Sequence, residues 1–198
     1  NAATTALMVG IAQGAAPPGV TIEGATAAAG APLILDAAML ATAGQAVQAL
    51  IAQTDLTPFA GVIIAAFGDP GLAAVRALTP LPVTGIAEAA MAAAAAHGRF
   101  AIATTTPLLA EAIGARAAAY GHGDAFAGTW LTEGDAGALM AEPGRLEAAL
   151  EAAIRRAMAE AAPDAVIIGG GPLAAAAAAL RPRLAGLALR RAAGMPPG

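Results

Sequence analysis

Cysteine is absent from all 198 residues, and lysine is absent as well. Without a thiol the chain can form no disulfide, build no thiolate zinc site and offer no sulfur nucleophile. All ten basic residues are therefore arginine, a bias that fits a GC-rich coding sequence, which also enriches Ala, Gly and Pro. Aromatic residues are scarce at 3% although hydrophobic residues reach 58%, so alanine fills positions that larger side chains usually hold. Two histidines, His97 and His122, leave little from which to build a metal site, and neither a metal nor a cofactor is expected. A net charge of −4 argues against a nucleic-acid partner. The mean hydropathy of +0.68 raises the question of a membrane. Yet the longest uncharged stretches, 1–22 and 37–54, are broken by Gly, Pro, Gln or Thr and do not read as lipid-facing spans. No basic segment followed by an apolar one opens the chain, so no signal peptide is expected. These absences leave a soluble, cytoplasmic α/β protein as the expectation.

What is present alternates in type. Strand-like runs are read at Gly19 to Ala25, Gly61 to Ala66, Pro82 to Ile86, Arg99 to Thr105, Phe126 to Thr132 and Ala165 to Gly169. Helix-like segments are read at Thr4 to Gly14, Ala37 to Gln53, Gly71 to Leu78, Ala87 to His97, Pro107 to Tyr120 and Gly144 to Ala161. In the last of these Leu146, Leu150, Ile154 and Met158 recur at i+4, while Arg145, Glu151, Arg155 and Arg156 fall largely off that stripe. Alternating strands and helices imply parallel pairing through right-handed crossovers, with helices on both faces. The segments VIIAAFGDPGLAA, from Val62, and VIIGGGPLAA, from Val166, also resemble each other, and superposing their strands sets Ala66 opposite Gly170. This is either a duplicated lobe with two strand ends facing across a cleft or the common look of any buried strand before a helix. Ligands in such sheets bind beyond the carboxyl ends of strands, where N–H groups and helix N-termini converge.

Each motif at those strand ends carries more than one reading. Gly169 to Ala174 satisfies G-x-G-x-x-A, but Asp164 is the last carboxylate of the chain, so no acidic residue follows to hold a ribose. Pro172 also removes an N–H from the helix start, and a turn cradling a smaller anion fits better. In FGDPGL, Asp69 before Pro70 is expected to cap the helix that follows, with Pro70 at its first position. The N–H groups of Phe67 and Gly68 are available to a cleft. Thr104 to Thr106 end a strand before Pro107 and serve either as caps or as carboxylate-binding donors. Glu88 falls in the first turn of a helix, where the dipole favours a carboxylate. His97 reads as a helix C-terminal partner and His122 as loop surface. No Ser-His-Asp or paired-carboxylate constellation follows from spacing.

The stretch VIIAAFGDPGLAAVRALTPLPVTGIAEAAMAAAA, from Val62, resembles the signature segment of hydantoin and allantoin racemases in the aspartate/glutamate racemase superfamily. FAIATTTPLL, from Phe100, is similar to that family's strand ending in Thr-Thr, and VIIGGGPLAAAAAAL, from Val166, to its second catalytic turn. NAATTALMVGIAQGAAPPGVTIEGATA, from Asn1, resembles the segment after the family's first strand. The likeness spans nearly the whole chain and weakens after Arg183. It implies two pseudo-symmetric α/β lobes, each a short parallel sheet flanked by helices, with the site in the cleft between them. The lobes are expected at 1–97 plus 185–198 and at 98–184. It also implies a proton removed α to a carbonyl by one cysteine and returned from the opposite face by another. Thr, Ser or Asn side chains and backbone N–H groups hold the substrate.

On that resemblance the family cysteines fall on Ala66 and Gly170, neither of which can transfer a proton. The thiol of the related arylmalonate decarboxylases falls on Gly170 too. Ala2 and Ala3 stand where the family has Pro and Asn, and no first strand precedes Asn1, so further residues are expected upstream and around the divergent tail from Ala185. The substrate-binding positions implied are Asn1, Thr4, Phe67, Gly68, Thr104, Thr105, Gly169 and Gly171, with Glu88 a weak acid/base candidate. Two functions are carried forward. One is an isomerase acting at the carbon α to a carbonyl of a small amino-acid-derived or ureide substrate by a cysteine-independent route. The other is a non-catalytic binder of a small carboxylate or hydantoin. In either case the partner is a small-molecule anion or cyclic ureide, without nucleic acid or membrane, and the protein is expected to be a homo-oligomer.

Overall fold

The structure is a computed structural model that describes residues 2–31 and 33–193, with side chains through Leu184. The first half carries helix α1 (Ala2–Ala15), helix α2 (Ala37–Gln53), strand β1 (Val62–Ile64), helix α3 (Leu72–Leu78), strand β2 (Val83–Gly85) and helix α4 (Ile86–Ala95). The second carries strand β3 (Phe100–Thr104) and a 3-10 turn (Pro107–Leu109) that leads into helix α5 (Ala110–Ala119). Strand β4 (Phe126–Leu131), helices α6 (Ala136–Ala141) and α7 (Pro143–Glu160), and strand β5 (Ala165–Ile168) follow. A second 3-10 turn (Gly171–Leu173) then runs into helix α8 (Ala174–Ala193). Strands β1 and β2 pair in parallel, and a second parallel sheet has the order β4-β3-β5. The expected α/β architecture of short parallel sheets flanked by helices is thus observed.

Strand β3 shows why the second sheet takes its central position. Its five residues are all buried, so it reads as a continuous run without alternation, as a strand covered on both faces must. On one side lie α4 and α5, through Ala87, Met91, Ile113 and Ala117, packed around Phe100 and Ile102. On the other lie α6, α7 and α8, through Leu139, Leu146, Leu150, Ile154 and Leu180, against Ala103. Helix α7 keeps the i+4 stripe expected of it, and its Glu151–Arg155 pair lies on the outward face. The fully buried Leu150 side chain contributes about 1.5–3 kcal/mol by leaving water. A smaller cluster of Ile64, Leu72, Val75 and Val83 holds the first sheet.

Two expectations are corrected. Gly19 to Ala25 forms no strand. Its alternation does produce an extended backbone segment, but a side chain takes the place of a neighbouring strand: Gln13 Nε2 donates to the Val20 carbonyl (2.9 Å) and Gln13 Oε1 accepts from the Ile22 N–H (2.8 Å). One amide thereby satisfies the donor and acceptor that a ladder would have used. Second, Asp69 does not cap α3, which begins at Leu72 after Gly71, so Pro70 is outside the helix. Helix α8 runs to Ala193 with Pro182 inside it. The short helix α6, capped by the Asp135 carboxylate on the Ala138 N–H (2.9 Å), had no periodicity to announce it.

Candidate functional site

The turns after β1 and β5 lie against each other. A Cβ placed on Gly171 would sit 3.4 Å from the Ala65 carbonyl oxygen and 3.5 Å from Met8 Sδ of α1. One placed on Gly169 would meet the Phe67 ring at 2.8 Å and Ile102 Cγ2 at 2.9 Å, so glycine there makes room for the aromatic ring of the other turn. Gly170 has φ 151°, a conformation open to glycine and closed in practice to other residues.

Beside these turns opens a cavity of about 860 Å³. Ala66 and Gly170 both line it, as do Thr4, Phe67, Thr104, Thr105, Gly169 and Gly171. Of the remaining candidates, Gly68 is buried and faces Leu40 rather than the cavity, with φ 102°. Asn1 lies outside the described residues. Glu88 is elsewhere: its carboxylate receives Arg76 Nη1 (3.0 Å) and Nη2 (2.7 Å), and it is not part of the cavity wall. The Arg76 guanidinium, which also donates to the Val83 carbonyl, holds the Glu88 carboxyl below the usual carboxylate range.

The polar wall is the strand end Thr104–Thr105–Thr106, buried to 2%, 6% and 9% exposure. The Thr104 and Thr106 hydroxyls bond each other at 3.2 Å, whereas the Thr105 hydroxyl has no hydrogen bond to any of the described residues. The cavity is otherwise mostly apolar, and Glu23 is the one titratable side chain among its described lining residues. No arginine or histidine is among its described lining residues. No group of three or more His, Asp or Glu is placed to hold a metal ion among the described residues. Thr106 and Glu23 also line the cavity. The TTT run contained the first, and nothing in the TIEG segment separated the second from any exposed carboxylate.

Asp69, next to the cavity-lining Pro70, is a buried carboxylate. It has no exposed surface and φ 50°, a left-handed conformation that Asp tolerates better than most residues. Its Oδ1 accepts from the Ala87 N–H (2.9 Å), and its Oδ2 accepts from the Glu88 N–H (2.7 Å) and from the Tyr120 hydroxyl (2.8 Å). Asp69 therefore caps α4, a helix that starts 17 residues later, where the N-terminal dipole favours its charge. Gly85 must be small because a Cβ there would overlap this carboxylate. FGDPGL and PVTGIAE are two halves of one interlocked structure. Burial, followed by the neighbouring Asp69 carboxylate, pushes the Tyr120 phenol well above its ordinary range, so it remains a donor.

Two short parallel sheets flanked by helices, with the turns after β1 and β5 both lining one cavity, make this an α/β protein with a pocket of small-molecule size. A model of the Asp/Glu/hydantoin racemase family matches residues 1–190, and the chain belongs to that family. Its structure is similar to that of an allantoin racemase from Klebsiella pneumoniae, at 32% identity and a TM-score of 0.85, covering 92% of this chain and 75% of that one. It is also similar to an allantoin racemase from Pseudomonas fluorescens, at 26% identity and a TM-score of 0.86, covering 92% and 77%. No curated protein sequence matches the chain.

Proposed function

We propose that the cavity binds a neutral cyclic ureide of the hydantoin or allantoin type, and that the protein does so without two-sided proton transfer. The observation that carries this reading is the composition of the cavity: threonine hydroxyls and backbone groups, an otherwise mostly apolar lining with one carboxylate, Glu23, and no cation among the described lining residues. A dicarboxylate brought into such a site would lose its hydration without gaining a counter-charge, which costs several kcal/mol per ion. A ureide ring needs only hydrogen-bond partners. Thr104, Thr105, Thr4 and the backbone of Phe67, Gly169 and Gly171 are the groups assigned to hold it, with Ala66 and Gly170 leaving space on opposite sides of the ring.

Racemisation needs an acid or base on each face of the reacting carbon. Ala66 and Gly170 supply neither, Asp69 is buried off the cavity wall and accepts three hydrogen bonds, and Glu88 is held by Arg76. A second reading, a racemase acting at the carbon α to a carbonyl, is favoured by the likeness to two allantoin racemases. In it Glu23, the carboxylate on the cavity wall, or Glu88 after release from Arg76, would move the proton with bound water.

Calorimetric titration with allantoin, hydantoin and malonate, paired with deuterium exchange at the ring carbon in D2O, tests both. Binding of the two ureides but not malonate, with exchange no faster than in buffer, is expected. Binding of malonate in preference to the ureides would overturn the ligand class. Accelerated exchange that is lost in Glu23→Gln or Glu88→Gln would establish the enzyme instead.

A further inference from the structure

Tyr120 stands at the far end of the helix that begins at the threonine wall. Thr106 accepts the Leu109 N–H through its carbonyl (3.2 Å), the 3-10 turn passes into α5, and Tyr120 closes that helix with its own N–H on the Arg116 carbonyl (2.9 Å). From there the Tyr120 ring packs against both hydrophobic clusters that meet at this point, one built on β3, α4 and α5 and the other on β1, α3 and β2. Its hydroxyl ends on Asp69 Oδ2. Asp69 is in turn tied to the cavity's other wall, because its N–H donates to the Ala66 carbonyl (3.0 Å). The path from Thr106 through α5 to Tyr120, Asp69 and Ala66 therefore joins one wall of the cavity to the other. Behind that wall Gly68 and Asp69 both have positive φ; the Ala87 and Glu88 N–H groups tie the Asp69 carboxylate to α4, and the Tyr120 hydroxyl ties it to the end of α5.

We propose that Tyr120 is a positioning residue: its hydroxyl, held on Asp69, clamps the Ala66–Gly68 turn of one α/β unit against the threonine wall of the other. Tyr120 does not line the cavity, so it acts on a ligand only through this clamp. That consequence rests on the binding function proposed above; the clamp itself does not.

Tyr120→Phe removes the hydroxyl and keeps the ring in both clusters. Ile154→Val on α7 serves as a control that loosens the core on the opposite side of β3. Amide spectra and hydrogen exchange are read on both variants without ligand. In Tyr120→Phe the Phe67, Gly68 and Gly169 resonances are expected to shift, because the Phe67 ring lies against Gly169. The Asp69, Ala87 and Glu88 amides are expected to exchange about tenfold faster, as in a local opening. Ile154→Val is expected to leave all six unmoved. Shifts in Tyr120→Phe confined to the residues around α5, with exchange at Asp69 unchanged, would overturn the clamp. Where wild-type protein binds allantoin, Tyr120→Phe is expected to weaken binding about tenfold. Failure of the wild type to bind would count against the function alone, leaving the spectra to decide the clamp.

Discussion

Removing the Asp69 carboxylate would leave the Ala87 and Glu88 amides and the Tyr120 hydroxyl without their acceptor. Buried donors stripped of a partner cost about 1–3 kcal/mol each, and Ala at φ 50° adds strain. Asp69→Ala is therefore expected to destabilise by roughly 3–5 kcal/mol in urea denaturation. A loss of less than about 1 kcal/mol would contradict the assigned bonds. The Arg76–Glu88 pair is a smaller matter, since the side chains are 45% and 25% exposed. Because Glu88 titrates lower in the folded state, its contribution is present above the unfolded carboxylate range and disappears as pH falls through the folded value. Glu88→Gln should cost at most about 1 kcal/mol at neutral pH, and wild type and variant should converge in acid and in high salt. The two thiol-matching positions also differ. Ala66 already carries a Cβ at the cavity wall, so Ala66→Cys is expected to fold normally. Gly170→Cys forces a side chain onto φ 151° and into Leu173, 2.9 Å away, and is expected to lose about 1–3 kcal/mol by thermal denaturation.

Among the elements, those with strong patterning were readable. Helix α2 was expected at Ala37 to Gln53 and occupies that span, and the stripe of α7 identified its buried face. All five strands observed coincide with runs read as strands, although only β3 is buried throughout, and β1 and β2 expose Ile63 and Thr84. The failures have definite causes. Val20 and Ile22 alternate as a strand does, but the Gln13 amide completes their hydrogen bonds, an interaction across nine residues that no local pattern contains. Asp69 looked like the cap of the helix after Pro70 because capping signals are read locally, and its true partner lies 17 residues further on. Strand β4 offers a test of packing. The Thr129 hydroxyl is buried without a hydrogen bond, so Thr129→Val, nearly isosteric, is expected to raise stability by roughly 1 kcal/mol. A lower melting temperature would mean that the hydroxyl has an acceptor.

At the scale of the molecule, an alanine-rich and aromatic-poor chain still builds cores on both faces of β3, using helices whose small residues allow close approach. Helix α1 departs from this economy. None of its residues is buried, and Leu7 and Ile11 are 41% and 42% exposed. Among the described residues, no helix is long and apolar enough to cross a membrane, so that surface calls for another explanation. A homo-oligomer would cover it, and light scattering is expected to give a mass above the 18.9 kDa of one chain. The pairing of Ala66 with Gly170 was legible from the repeated Val-Ile-Ile turns, and both do line one cavity. That no cation is among its described lining residues was not legible, because it depends on where Arg76 and the other described arginines point. The ureide reading stands or falls at the threonine wall. Amide spectra recorded during titration with allantoin test it most directly. Shifts centred on Thr104–Thr106 and Gly169–Gly171 are expected, whereas saturable binding that leaves those six residues unmoved would contradict it.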